Sequence, residues 1–83
     1  MTTDKIVSRV SEKLNTEGNQ WNLHFEVGSK ALPDGQWLQI FIRSDATRQN
    51  RAAEQQIISD VEEDLSEELG LELLLVTVSE FAA

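Results

Sequence analysis

The sequence predicts an α+β domain with elements in the order α-β-β-α-β, a three-stranded sheet with two helices packed on one face. Three stretches carry this expectation. Residues 45–70 hold one long amphipathic helix, in which Ile57, Ile58, Val61, Leu65 and Leu69 recur at spacings of three and four. Two alternating stretches, 21–27 and 37–43, flank the strong turn chemistry of Leu32-Pro33-Asp34-Gly35. One apolar run over 71–78 follows the long helix and reads as a strand. The 83 residues form one domain, 1–83, with no internal repeat, low-complexity segment or linker.

Thr3 or Asp4 opens the first helix, which is expected to reach Leu14. Ile6, Val7, Val10 and Leu14 form its buried stripe. Lys5, Arg9 and Lys13 stand at i, i+4 and i+8 on a solvated outer face, where like charges mildly oppose one another. Asn15 to Asn19, with Gly18 among them, end the helix in a turn. In the first strand Trp21, Leu23, Phe25 and Val27 point one way, and Asn22, His24 and Glu26 the other. Gly28 to Gly35 reads as a loop too long for a tight hairpin.

The second strand, Trp37 to Arg43, has one purely aliphatic face of Leu38, Ile40 and Ile42. Assigning that face to the core sends Trp37, Gln39, Phe41 and Arg43 to the side opposite the helices. Asp45 or Thr47 serves as N-cap of the long helix, and Gly70 suits the left-handed position that ends it. The outer face of this helix carries Glu54, Asp60, Glu63, Asp64, Glu67 and Glu68. The third strand is apolar on both sides, with Leu71, Leu73, Leu75 and Thr77 on one and Glu72, Leu74, Val76 and Val78 on the other. Such a strand needs cover on both sides, and two helices on one side leave the second bare. It pairs either parallel to the second strand through a crossover or with the first strand. Ser79 to Ala83 form a short tail.

Charge is uneven. Residues 1–51 balance at +1 and residues 52–83 at −9, for a net charge of −8. Six acids, Asp60, Glu62, Glu63, Asp64, Glu67 and Glu68, crowd the last turns of the long helix, while Arg48 and Arg51 sit in its first turns. The helix macrodipole favours the reverse order, so helix stability does not account for the pattern. An acidic domain repels phosphate backbones and disfavours nucleic acid as a partner. The chain has no cysteine, hence no disulfide framework and no thiolate metal site. Met1 to Lys5 lack the apolar core of a signal peptide, and the apolar run Leu73 to Val76 is too short to span a membrane. A cytoplasmic protein without membrane contact is expected.

The order of elements is similar to that of RNA-binding KH domains, of the ribosome-binding factor A family and of the cytoplasmic domains of cation-efflux transporters. The likeness is one of topology. A KH domain clamps nucleotides with a Gly-x-x-Gly loop. Gly18, Gly28, Gly35 and Gly70 form no such motif. A cation-efflux domain implies metal ligands and a membrane part, and neither is read in this sequence.

Catalytic motifs are not found. His24 sits mid-strand among polar neighbours, the serines stand in no Gly-x-Ser-x-Gly motif, and there is no P-loop or glycine-rich dinucleotide turn. No catalytic residue, metal site or cofactor is assigned. Three surfaces remain. The open sheet face, with Trp37, Gln39, Phe41, Leu74 and Val76, has the aromatic and apolar composition of a protein contact. The acidic helix end, with Asp60, Glu63, Asp64 and Glu67, suits a basic protein surface. Arg43, Arg48 and Arg51 near a helix N-terminus could hold a small anion, or pair with Asp45 and Glu54. The expected function is a non-enzymatic protein-binding module, self-associating as a homodimer or part of a complex through the open sheet face. The alternatives are a KH-like nucleic-acid or ribosome-associated module using its basic first helix, and a regulatory domain that binds a small anion.

Overall fold

A computed structural model describes residues 3–81. Met1 and Thr2, and the Ala82-Ala83 end of the expected tail, lie outside the described residues. The expected α+β class and element order are found: α1 (Thr3–Gly18), β1 (Phe25–Asp34), β2 (Trp37–Ser44), α2 (Arg51–Leu69) and β3 (Glu72–Thr77), with short 3₁₀ turns at Asn19–Trp21 and Arg48–Asn50. The sheet order is β1-β2-β3. β1 runs antiparallel to β2, and β3 runs parallel to β2, which decides between the two pairings left open for the third strand.

Which way β2 faces sets everything else. Ile40 and Ile42 are fully buried, and their register partners Ala31, Val27 and Leu75 share their side of the sheet. Leu38 pairs with the fully buried Leu73 on the same side. The helices cover that side. α1 contributes Ile6, Val10, Leu14 and Gly18, a stripe of strict i+4 steps; Val7 is only half-buried. α2 contributes Ile57, Ile58, Val61 and Leu65. Arg9 meets Glu68 and Lys13 meets Asp64, so a step of four forward on α1 matches four back on α2, and the helices run antiparallel.

Several boundaries differ from expectation. α1 continues past Leu14 to Gly18, because Gly18 itself lies on the buried stripe. A Cβ at Gly18 would sit 2.9 Å from both the Leu23 carbonyl and the Phe25 ring, so only glycine lets this turn approach the sheet so closely. Trp21 is not in the first strand. It ends a 3₁₀ turn closed by Asn22 in the left-handed region at φ 56°, and the residue is 56% exposed. Asparagine tolerates that conformation better than most residues.

The stretch expected to be a loop is strand. β1 runs on to Asp34 opposite Trp37, leaving Gly35 at φ 64° and Gln36 as a two-residue hairpin turn. Pro33 is accommodated because β1 is an edge strand. The hidden feature is a bulge: Gly28, Ser29 and Lys30 together stand opposite Phe41, between the pairs Val27–Ile42 and Ala31–Ile40.

The long helix begins at Arg51, after the 3₁₀ turn, instead of at Asp45. Neither expected residue caps α2, whose N-cap position is Asn50; Thr47 caps the 3₁₀ turn before it. The Thr47 N–H donates to Asn50 Oδ1 at 2.7 Å, while the Asp45 carboxylate is occupied by His24. Gly70 ends the helix in the left-handed region, as expected, and the Leu71 N–H donates to the Ser66 carbonyl at 3.1 Å. Glu54, placed on the outer face by its charge, is only 2% exposed. Its carboxylate accepts bonds from the Ser44 hydroxyl and from Gln55 Nε2 at 3.1 Å, and Arg51 Nη1 lies 3.7 Å away. These partners satisfy a charge that would otherwise be costly to bury.

Helix side chains also close the sheet edges. The Leu73 N–H donates to Ser66 Oγ at 3.0 Å, and the Leu75 N–H to Glu62 Oε2 at 2.9 Å. At the other edge the Asn15 amide takes the Phe25 N–H at 2.9 Å and donates to the Phe25 carbonyl at 3.1 Å.

Replacing a helical glycine by alanine ordinarily stabilises a helix by up to about 1 kcal/mol. Gly18→Ala is expected to act in the opposite sense, because the new methyl group meets a backbone carbonyl. A loss of about 1–3 kcal/mol, or roughly 5–20 °C in melting midpoint, should be read by thermal denaturation. An unchanged or raised midpoint would show that the turn is looser than described.

Candidate functional site

The side of the sheet away from the helices is built from alternate residues of all three strands. Its rows follow from the register. Asp34, Trp37 and Glu72 form one row, and Leu32, Gln39 and Leu74 the next. Phe41 and Val76 form the third, facing the bulge, and Glu26 and Arg43 flank it. Trp37 is 43% exposed and Leu32 45%; Phe41, Leu74, Val76 and Val78 are half-buried. Every residue assigned to this face from the sequence, Trp37, Gln39, Phe41, Leu74 and Val76, therefore stands together on it.

Four polar members of the face are tied to one another in pairs. Gln39 Nε2 donates to Asp34 Oδ2 at 2.8 Å, and Arg43 Nη2 donates to Glu26 Oε1 at 3.2 Å. His24 and Asp45 extend the Glu26–Arg43 side of the face. The His24 N–H donates to Asp45 Oδ1 at 2.9 Å, and the His24 ring Nδ1 lies 2.9 Å from Oδ2. With their polar groups so paired, these residues frame the apolar rows without competing for them.

Sequence reasoning missed two members of this surface. Leu32 was hidden in the supposed loop, although it stands one position before a proline that suits an edge strand. Phe81 was left in the tail. Its ring lies against Gly28, where a Cβ would be 3.6 Å from it, and under the Arg43 guanidinium at 5.7 Å. A large aromatic residue among the small and polar residues of the tail is the available hint. Between Phe81, Phe41, Leu32, Val78 and the bulge lies an open groove of about 500 Å³.

The acidic end of α2 is explained in part by α1. Arg9 Nε and Nη2 each donate to one Glu68 oxygen at 3.0 Å, and Lys13 Nζ lies 3.9 Å from Asp64. This fork holds the Glu68 carboxyl below its ordinary value and raises the Arg9 guanidinium. Asp60 accepts from Gln56 at 2.9 Å, and Glu62 is spent on β3. Of the proposed acidic surface, Asp64 is thus engaged with α1, and Glu63 and Glu67 are exposed. Arg9 and Lys13, which a nucleic-acid reading would use, are turned toward carboxylates.

The arginine cluster is divided. Arg43 stands on the open face with Glu26 and Phe81, whereas Arg51 reaches Glu54 on the helix side and Arg48 is exposed in the 3₁₀ turn. Among the described residues no group of three or more His, Asp or Glu side chains is placed to share a metal ion. Among the same residues no helix is long and apolar enough to cross a membrane. Comparison with known proteins finds no match among family models, curated proteins or solved structures.

The bonds from His24, first from its backbone N–H and then from its ring, hold the Asp45 carboxyl below its ordinary value of 3.8. A carboxyl depressed in the folded state contributes stability above the unfolded value, and the contribution fades as pH falls through the folded one. Asp45→Asn is therefore expected to be less stable than the wild type near pH 6, with the gap narrowing as pH falls below the ordinary value of 3.8. Urea denaturation across this pH range checks this; a gap that persists in acid would assign the effect to something other than the carboxylate.

Proposed function

We propose that the chain is a small, non-enzymatic protein-binding module that self-associates as a homodimer through its open sheet face. The observation that carries the reading is the placement of Trp37, Leu32, Phe41, Leu74 and Val76 together on a face that neither helix covers. The edges are poorer candidates, because Asn15, Ser66 and Glu62 already occupy backbone groups that a strand from another chain would need.

A second copy on this face keeps the two α2 helices apart, while Asp34, Glu72 and Glu26 against Arg43 leave the face itself acidic and weaken the pairing. Asp64 and Glu68 of α2 lie beside α1 in the helix layer, whereas Glu62 and Glu63 line a cleft with Trp37 and Glu72 at the β3 edge. The thinnest extent of the fold is 19 Å, the thickness of one sheet and one helix layer. Stacking two open faces places the two acidic helices at opposite outer surfaces, several Debye lengths of about 8 Å apart at physiological salt.

Strand spacings of about 4.8 Å and a rise of about 3.3 Å per residue give the face an area of roughly 300 Å² per copy. At about 25 cal/mol per Å², a stacked pair would gain at most about 15 kcal/mol. The loss of free motion on association costs about 4–15 kcal/mol. The difference is about 0–11 kcal/mol, and the total area falls below the range of about 1,200–2,000 Å² that marks stable complexes. The dimer is accordingly a weak one, with a dissociation constant on the order of 100 μM. The lack of cysteine fits a cytoplasmic setting for such a module.

Sedimentation equilibrium over a concentration series tests the reading. The apparent mass of the wild type should climb from 9.4 kDa toward twice that value, while Trp37→Ala combined with Phe41→Ala should stay at the monomer mass. A wild type that remains monomeric up to about 1 mM would exclude self-association at the estimated strength.

A further inference from the structure

We infer that the segment from Val78 to Phe81 is a strap that masks one end of the open face, so that release of the Phe81 ring strengthens pairing with a second copy. The inference rests on the self-association reading above and adds a restraint to it.

The path of the chain carries the argument. Beyond the end of β3 the Val78 N–H donates to the Ile42 carbonyl at 2.9 Å, which holds the segment beside β2. Three residues later the Phe81 ring has reached Gly28 in the bulge of β1. The segment thus passes over β2 from one edge strand toward the other, on the side that the helices leave bare. The bulge makes the seat. A Cβ at 28 would crowd the Phe41 carbonyl at 3.2 Å and stand in ordinary contact with the Phe81 ring at 3.6 Å, so the ring packs directly on the backbone of the bulge. Arg43, anchored by Glu26, closes the seat from above at 5.7 Å from the ring centre.

The strap is lightly held. Ser79 and Glu80 are exposed, and the ring is only half-buried. It leaves a groove of about 500 Å³ beside it, bounded by Leu32 and Phe41. Lifting the ring therefore adds the Gly28 backbone and the flanks of Phe41 and Val78 to the rows already exposed. Those adjoin Phe41 and Val76 in the third row, at the end of the face away from Trp37. In the strapped state the same ground is taken in cis by Phe81.

The test compares the wild type, Phe81→Ala and Arg43→Gln by sedimentation equilibrium, each confirmed as folded by its thermal melt. Phe81→Ala should raise the association constant about threefold to tenfold, as expected for some tens of Å² of added apolar contact. Arg43→Gln, which removes the cation above the ring and leaves the core intact, should act in the same direction and stands in if Phe81→Ala does not fold. Adding Trp37→Ala and Phe41→Ala to Phe81→Ala should abolish the gain. A wild type that pairs through Trp37 and Phe41 while Phe81→Ala pairs equally or less well overturns the strap and leaves the face reading standing. A monomeric wild type with a pairing Phe81→Ala supports the strap and overturns the estimated strength of the wild-type dimer. Monomers throughout, up to about 1 mM, overturn both.

Discussion

Two helices can cover only one side of a three-stranded sheet, and this limit governs the molecule. The choice of side is made by β2, whose Leu38, Ile40 and Ile42 form an aliphatic row with register partners on both neighbours. Once that row is inward, alternation along the strand places Trp37 and Phe41 outward. The third strand then has no neutral choice. Leu73 and Leu75 go to the core, and Leu74 and Val76 must go to the face without cover. The uncovered rows are thus a consequence of how the core is closed.

The polar accounting points the same way. α1 and α2 turn Arg9 and Lys13 toward Glu68 and Asp64, so charges that look misplaced against the helix dipole complement the neighbouring helix instead. Such exposed pairs are screened by salt and add little to stability, but they fix how the helices sit beside one another. Asn15, Ser66 and Glu62 reach from the helices to backbone groups at the sheet edges, and Ser44 with Glu54 joins the end of β2 to the start of α2. Strand addition is blunted at those points, and the broad face is left as the surface open to contact.

Much of this was legible in the residues. The class, the element order, the facing of β2 and the composition of the bare side all follow from periods of two and of three to four. What escaped was local and tertiary. Trp21 looks like a strand residue until Asn22 turns the backbone. Gly28-Ser29-Lys30 reads as loop chemistry because a bulge and a loop use the same residue types. Glu54 was judged by its charge, although it lies three and four positions before Ile57 and Ile58, on the very stripe they define. Pairing partners separated by more than fifty residues, such as Arg9 with Glu68, leave no trace in local spacing.

The bulge in β1 has a bearing on how this chain tolerates changes in length. Three residues stand where a regular ladder would have one, so the excess is an even number. Side chains in a strand alternate, and an even excess leaves Ala31 and Pro33 facing inward, as Phe25 and Val27 do. Deleting a single residue there would turn the hairpin's outer half inside out, presenting Asp34 to the interior and Ala31 to solvent. Deleting two would only straighten the strand, at the expense of the hollow in which Phe81 rests. Length variation at this point is therefore quantised in pairs, and the hollow exists because one such pair is present.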